Sequence, residues 1–530
     1  MSKITIKSWS SNLYPPSELV ALICKFVKFK EGNVLDIGCA NGSITNMLYN
    51  YGFIPTGIEP DTNAYNIAIN NLKGKNIKLL NITLDDFISD KNYKLVVAWG
   101  ITPLGIIENI QKKLKMLNSE IIICNYRSNN NSYINFEKNI NIKENIYLIN
   151  HNHHFNNLLY KNFNISDIQI EGYKLIHLEK RTHIREFSTL KQYSNLDFPY
   201  TEEWYDCVYF KHSLFDDLNP KILFCFNNDF NLEKDLTNIK FTDYIKYIEE
   251  YDSEAILKWH DKIFIHKFFK NKNYQHHIIH TSKNFDENIT EILEDKKTFV
   301  IKPSFCAYSV GTILIKNNKI IPLNQQSYSK WINKERIVSF NQWLSVSKLA
   351  NNIIYNKNLD EDISLEDIKE EIKNYKKLDV ENTKASTAIK IRKGNTKKGF
   401  IIEELIDSNL EIRYYVVWGK VMHITIDWNS DDFLSNNNCD LDNLHYNENG
   451  VPYDKNSPKL PMWWNEGRHF AEQIAEDALC DFVRIDVLYN NHPYLLEFTW
   501  ATFPRVDDKI NNMIFEKIKS GYKFRKNYVI

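Results

Sequence analysis

The stretch that most limits the fold is Val34-Leu35-Asp36-Ile37-Gly38-Cys39-Ala40-Asn41-Gly42. A short apolar strand stopping in a glycine-bearing turn predicts a strand–loop–helix unit. Glycine lets the backbone turn tightly and meet a ligand with no Cβ in the way. A second apolar run, 54–58, ends at Glu59-Pro60. An acid about 20 residues beyond a glycine loop, at the end of the next strand, is where a ribose diol is gripped. Both strand ends then open into one crevice. Taken alone, the turn has a plainer reading, a strand-to-helix link in an unliganded sheet; the position of Glu59 argues for a ligand.

The same alternation continues. Apolar strands at 33–37, 54–58, 77–80, 95–99 and 119–124 separate amphipathic helical segments, the pattern of a parallel α/β sheet. Residues 168–171 and 173–178 meet at Gly172 and predict an antiparallel hairpin closing that sheet. Beyond about residue 200, strands instead pair through turns: 298–303 with 311–316, 411–417 with 420–426, and 483–489 with 493–499. Between the first two pairs, residues 356–399 read as a helix followed by a Lys-rich loop. The expected organisation is a Rossmann-like α/β sheet over residues 1–190 and an α+β domain over 191–530.

A chain of 530 residues exceeds one ordinary core. Its 66 Lys and Arg against 67 Asp and Glu leave no basic stripe, which argues against a nucleic-acid or membrane-surface partner. The cysteines are scattered without a CxxC pair, as for free thiols in a reducing compartment. The first residues lack a signal-peptide pattern, and no apolar run approaches the ~20 residues that span a bilayer. A cytoplasmic protein is expected, of unstated oligomeric state. The histidines at 260, 266, 276, 277 and 280 match no zinc spacing.

The DIGCANG segment resembles motif I of class I S-adenosylmethionine methyltransferases, usually DxGxGxG. The resemblance implies that Asp36, Gly38, Ala40, Gly42 and Glu59 hold S-adenosylmethionine, with Glu59 on the ribose. Opening the motif with Asp rather than Gly favours a methyl donor over NAD. Two departures stand out: Ala40 replaces the middle glycine, and Asn81-Ile82-Thr83 occupies the place of an adenine-contacting Asp, leaving Asp85 as a substitute. Methyl transfer can proceed by positioning alone, so no single residue certifies it. His151, His153 and His154 are either a source of a general base for an O-methyl acceptor or an exposed Asn/His-rich loop.

Near the C-terminus, Asp486 and Glu497 sit on a hairpin where they can lie opposite each other. Two carboxylates with Thr499 as a further oxygen suit Mg²⁺, which takes a few carboxylates plus phosphate oxygens. A carboxylate pair alone is more often a solvated or salt-bridged face, and its companions decide. Lys302 ends the apolar run 298–302 before a small-residue loop, an arrangement that suits nucleotide phosphates. Lys262 adds a cation; Glu403 and Glu404 interrupt an apolar strand; Arg413 alternates on another.

This order resembles the ATP-grasp superfamily over about residues 200–520, and the VRIDVLY…LLEFTW ending is most similar to its teichuronopeptide and capsule-biosynthesis members. The resemblance implies that Lys262 and Lys302 contact phosphate and adenine, that Glu403, Glu404 and Leu405 form the adenine and ribose hinge, and that Arg413 contacts phosphate. Asp486, Glu497 and Thr499 would hold Mg²⁺, and Lys302 and Arg413 would serve catalysis. The departure is the loop 305–308, less glycine-rich than usual. Arg484 and Arg505 are either clamps for a substrate carboxylate or, for Arg484, a structural ion pair. The fold class implied is α/β, a Rossmann-like methyltransferase sheet followed by an α+β ATP-grasp domain. The activity implied is a carboxylate–amine ligase using ATP and Mg²⁺, joined to a methyltransferase, acting on a small molecule, glycan or peptide. The alternatives are an ATP-grasp kinase and a non-catalytic binding protein.

Overall fold

The computed structural model describes residues 15–89, 91–100, 107–128, 168–185, 200–215, 218–225, 241, 244, 261–270, 272, 277–305, 311–321, 337–355, 358–378, 398–408, 410–426, 444–455, 457–500 and 508–528. The chain forms two compact units, Met1–Pro220 with Tyr522–Ile530, and Lys221–Gly521.

Unit 1 runs α1 (Ser17–Phe26), β1 (Asn33–Ile37), α2 (Ser43–Asn50), β2 (Ile54–Ile58), α3 (Thr62–Asn71), β3 (Lys78–Leu80), β4 (Leu95–Ala98), α4 (Ile107–Met116), β5 (Ile121–Ser128), β6 (Tyr173–Arg185) and β7 (Tyr200–Lys211). Its sheet has the order β3-β2-β1-β4-β5-β7-β6. The pairs β1–β2, β2–β3, β1–β4 and β4–β5 are parallel; β5–β7 and β6–β7 are antiparallel. Residues 95–98 are all apolar and fully buried, as a parallel sheet covered on both faces demands. Asp61 caps α3 by accepting from the Asn63 and Ala64 amides. The strand order reverses at β1, which has β2 on one side and β4 on the other; the carboxyl ends of β1 and β4 thus flank a switch point of the kind where open α/β sheets take ligands.

Two expectations need correction. Residues 168–171 are not a strand: Ile168 and Ile170 are buried in the apolar cluster beneath β4 and β5, and the Tyr209 hydroxyl bonds the Ile168 carbonyl at 2.6 Å. The partner of β6 is β7, with Tyr173 opposite Lys211 and Arg185 opposite Tyr200. For the same reason the division moves from 190/191 to Pro220/Lys221, since β7 has its hydrogen-bonding edges satisfied by β5 and β6 within the first sheet.

Unit 2 holds α5 (Lys262–Lys270), β8 (Ile278–Ser282), β9 (Phe299–Pro303), β10 (Ile313–Lys316), β11 (Lys319–Ile321), α6 (Ile337–Val346), α7 (Lys348–Tyr355), α8 (Leu365–Asn374), β12 (Phe400–Glu403), β13 (Glu411–Val417), β14 (Lys420–Ile426), β15 (His445–Asn447), α9 (Trp464–Ala478), β16 (Phe482–Tyr489) and β17 (Pro493–Trp500). The helix α10 (Asp508–Tyr528) follows. One sheet has the order β11-β10-β9-β12-β8, the other β15-β14-β13-β16-β17. The first packs Phe299, Ile301, Phe400 and Ile402 with Trp343 and Tyr375; burying each such side chain is worth roughly 1.5–3 kcal/mol. Trp418 and Gly419, both at positive φ, make the tight turn between β13 and β14. Among the described residues, no helix is long and apolar enough to cross a membrane.

Candidate functional site

The glycine loop of unit 1 is built against the end of β2. The Gly38 and Cys39 amides donate to the Ile58 carbonyl, and the Ala40 amide donates to Glu59 Oε2 at 2.8 Å. The Asp61 amide takes Glu59 Oε1 at 2.9 Å, and Asn81 Nδ2 holds the Glu59 carbonyl at 2.7 Å. Glu59 is thus fixed from both sides of the loop. Gly42 starts α2 at φ +81°, where a Cβ would meet Leu72 Cδ1 at 2.7 Å. Ala40 takes the same left-handed region at +48°, a conformation that strains an L side chain.

Asp36 is buried at the end of β1 and accepts from the Thr45 hydroxyl at 2.6 Å. Its Oδ1 is buried and has no hydrogen-bond partner among the described residues. Burial raises its pKa to about 7, Glu59 adds to the rise, and Thr45 opposes it. A buried carboxylate oxygen without a partner, beside a fixed acid, is the kind of group that a polar ligand satisfies. Asp85 does not join this group: its carboxylate is exposed and lies 3.6 Å from Lys113. Asn81 takes the nearer position, as a brace for Glu59 rather than an acid. His151, His153 and His154 lie outside the described residues.

In unit 2, strand register gathers the second set. Arg413 on β13 faces Asp486 on β16, which faces Glu497 on β17; in the next row Tyr415 faces Arg484, which faces Thr499. Alternation therefore puts Arg413, Arg484, Asp486, Glu497 and Thr499 on one face of the sheet. Leu496 is left over between the Asp486–Glu497 and Val487–Leu495 pairs, a bulge that ends the regular face beside the carboxylates.

Lys262, at the start of α5, brings its Nζ 3.6 Å from Glu497 Oε1. At the end of β9, Lys302 meets Glu403 Oε1 at 2.7 Å; His266 and His277 stand 3.7 and 3.6 Å from the same oxygen. Burial works against charge on Glu403, yet Lys302, then His277 and His266, hold it well below the usual carboxylate range. Burial itself drives His266 well below its ordinary value, against the pull of Glu403. Burial likewise opposes charge on Glu497, but Lys262, Arg484, Arg413 and Lys302 hold it at about 2. For Asp486 burial prevails over Arg484 and Arg413 and raises it to about 6.

Glu404 is exposed; its amide donates to the His277 carbonyl, and Leu405 follows. The loop 306–310 and Arg505 lie outside the described residues. The sequence assigns Asn81, His266 and His277 no part in either site, and it leaves out Thr45 and Glu411, which accepts from Arg413 Nε at 2.8 Å. Of these, Glu411 carried a usable signal: two residues from Arg413 on a strand, it shares that residue's face.

No family model matches the sequence, and no curated protein matches it. Solved structures that match include N-methyltransferase NodS from Bradyrhizobium japonicum WM9, at 14% identity, covering 37% of this chain and 93% of that one with a TM-score of 0.24. TehB from Haemophilus influenzae matches at 11% identity over 37% of this chain and 62% of its own, with a TM-score of 0.28. The topology of unit 1 stands on its own observations. It is a mixed α/β, parallel-rich sheet compatible with a methyltransferase-type Rossmann-like fold.

Proposed function

We propose that the chain is a bifunctional biosynthetic enzyme, with an S-adenosylmethionine-dependent methyltransferase in unit 1 and an ATP-grasp carboxylate–amine ligase in unit 2. The observation that supports the ligase half is the cross-strand row Arg413–Asp486–Glu497, met by Lys262, with the Lys302–Glu403 pair beside it. Paired carboxylates ringed by cations suit a metal–triphosphate, in which both signs of charge need a partner.

In this reading a substrate carboxylate attacks the γ-phosphorus of ATP, the bond to the bridging oxygen breaks, and ADP leaves. An amine then attacks the acyl carbon, phosphate departs with the bonding electron pair, and the nitrogen gives up a proton to that phosphate or to solvent, leaving an amide. Lys302 and Arg413 neutralise charge on the transferring group; such preorganised cations act without reorienting at the moment of reaction. Mg²⁺ bound with ATP would shield the phosphates, held by Asp486, Glu497 and Thr499. The hinge at Glu403, Glu404 and Leu405 takes the adenosine, with Lys262 and Lys302 along the phosphates. In unit 1, Glu59 grips the ribose while the turn through Gly38, Ala40 and Gly42 lets the backbone approach. Asp36 sets a carboxylate oxygen toward the cofactor's positive charge. The substrate is a small molecule, glycan or peptide precursor.

The test is ADP formation across a panel of carboxylates, with and without amines. Dependence on both supports the ligase. A stable phosphorylated product formed without amine makes unit 2 a kinase, and no ADP under any condition leaves a binding protein.

A further inference from the structure

The two carboxylates assigned to the metal are already engaged by a cation of the chain itself. Arg484 forks onto Asp486, Nε to Oδ1 at 2.7 Å and Nη2 to Oδ2 at 2.8 Å. The same Nη2 reaches Glu497 Oε2 at 3.3 Å and Thr499 Oγ1 at 3.5 Å. One guanidinium thus spans all three side chains that the ligase reading gives to Mg²⁺. The arrangement is fixed by the strands: Arg484 and Asp486 are two residues apart and share a face, while register sets Glu497 and Thr499 opposite them.

Charge points the same way. The cations Lys262, Lys302, Arg413 and Arg484 are set against the anions Glu403, Glu411, Asp486 and Glu497, and these formal charges cancel. A bare divalent ion entering here adds two uncompensated positive charges to a partly buried cluster built round the buried Asp486, at an electrostatic cost. A metal–triphosphate, which brings its own excess of negative charge, does not. Among the described residues there is also no group of three or more His, Cys, Asp or Glu side chains able to hold a metal without help from other oxygens.

From these facts we propose that Arg484 is a gate that keeps Asp486 and Glu497 closed to free divalent cations and yields them only to a cation carried on a polyphosphate. The guanidinium leaves Asp486 when incoming phosphate oxygens offer it a competing anion. Metal and nucleotide consequently bind as one unit, and ambient Mg²⁺ does not load the site alone. The proposal rests on the ligase reading for the identity of the site and adds a function for Arg484.

The experiment uses the full chain, MnCl₂ as probe and the non-hydrolysable analogue AMP-PNP, with Mn²⁺ uptake followed by electron paramagnetic resonance and AMP-PNP uptake by calorimetry. Wild type should bind Mn²⁺ at least about ten-fold more tightly with AMP-PNP present than without. Arg484→Gln should bind Mn²⁺ alone at least about ten-fold more tightly than wild type, and adding Glu497→Gln should remove that gain. Arg484→Lys, which keeps the charge but cannot fork, should fall between. If wild type binds Mn²⁺ without nucleotide as tightly as Arg484→Gln does, while AMP-PNP still binds, the gate is wrong and the nucleotide reading survives. If AMP-PNP binds no variant yet Arg484→Gln gains Mn²⁺, the nucleotide reading fails and Arg484 remains a guard of the acidic pair.

Discussion

Ala40 donates its amide to Glu59 Oε2 at 2.8 Å while held at φ +48°, so one residue both carries backbone strain and fixes the carboxylate opposite. The left-handed region costs an L residue roughly 1–2 kcal/mol. Ala40→Gly removes that cost but adds about 0.5–1 kcal/mol of chain entropy. The variant should therefore be as stable as wild type or up to about 1.5 kcal/mol more stable, with cofactor affinity kept. Ala40→Val should lose stability and S-adenosylmethionine binding together. Thermal unfolding and calorimetry on the two variants check both outcomes.

Glu59→Ala should weaken S-adenosylmethionine binding by roughly 1.5–3 kcal/mol, the worth of a hydrogen bond to a charged group. Calorimetric affinity unchanged by the substitution would remove Glu59 from the ribose.

Asp36, raised to about 7 by burial, gives a pH signature whose sign is fixed. The folded chain keeps its proton between the ordinary value of 3.8 and about 7, where the unfolded chain has released it. This group's contribution is therefore full below 3.8, declines as pH rises through that window and is flat above it. Asp36→Asn should flatten that part of the stability profile, read as melting temperature against pH. In wild type the ionised form should favour the cationic cofactor, so affinity should climb through pH 7, and in Asp36→Asn it should not.

Replacing Asp486 by Asn or Glu497 by Gln should abolish Mg·ATP turnover in a chain that remains folded, because the amides keep size but lose the charge a hard cation needs. Adenosine should bind nearly as before. ATP consumption that merely tracks the folded fraction would mark the pair as structural.

Lys302→Met should strip the buried Glu403 of its nearest cation, leaving only His266 and His277 beside it, and cost up to about 3–5 kcal/mol. Lys302→Met/Glu403→Gln should recover most of that loss in denaturant titrations while nucleotide binding stays weak. A double variant no more stable than the single one would show that Lys302 and Glu403 are not energetically coupled.

What could be read from the sequence was whatever depends on local period. The strands at 33–37 and 54–58 and the hairpin partners at 411–417 and 420–426 follow from apolar runs bounded by glycine, and they appear where expected. What could not be read was the choice among apolar partners far apart in the chain. Ile168 and Ile170 alternate as a strand would, yet both are spent filling the core, and β6 pairs with a segment that resembled the start of another domain. The acidic pair could be named from sequence because a short hairpin brings Asp486 and Glu497 together. The engagement of both by Arg484 depends on side-chain direction, which register alone sets. Asp85 was chosen for its acidity, while Asn81, without charge, had the geometry.

The last turns of α10, from Tyr522 onward, belong to unit 1, with Phe524 packed on Phe210 and Phe215 at ring distances of 6.1 and 5.4 Å. Unit 2 is therefore an insertion within unit 1, and this sets an order of events at the ribosome. All of residues 221–521 must be made before Phe524 appears, so unit 2 can complete its core while unit 1 still waits for its final helical turns. A released chain that ends at residue 521 should carry a finished second unit and an unfinished first one.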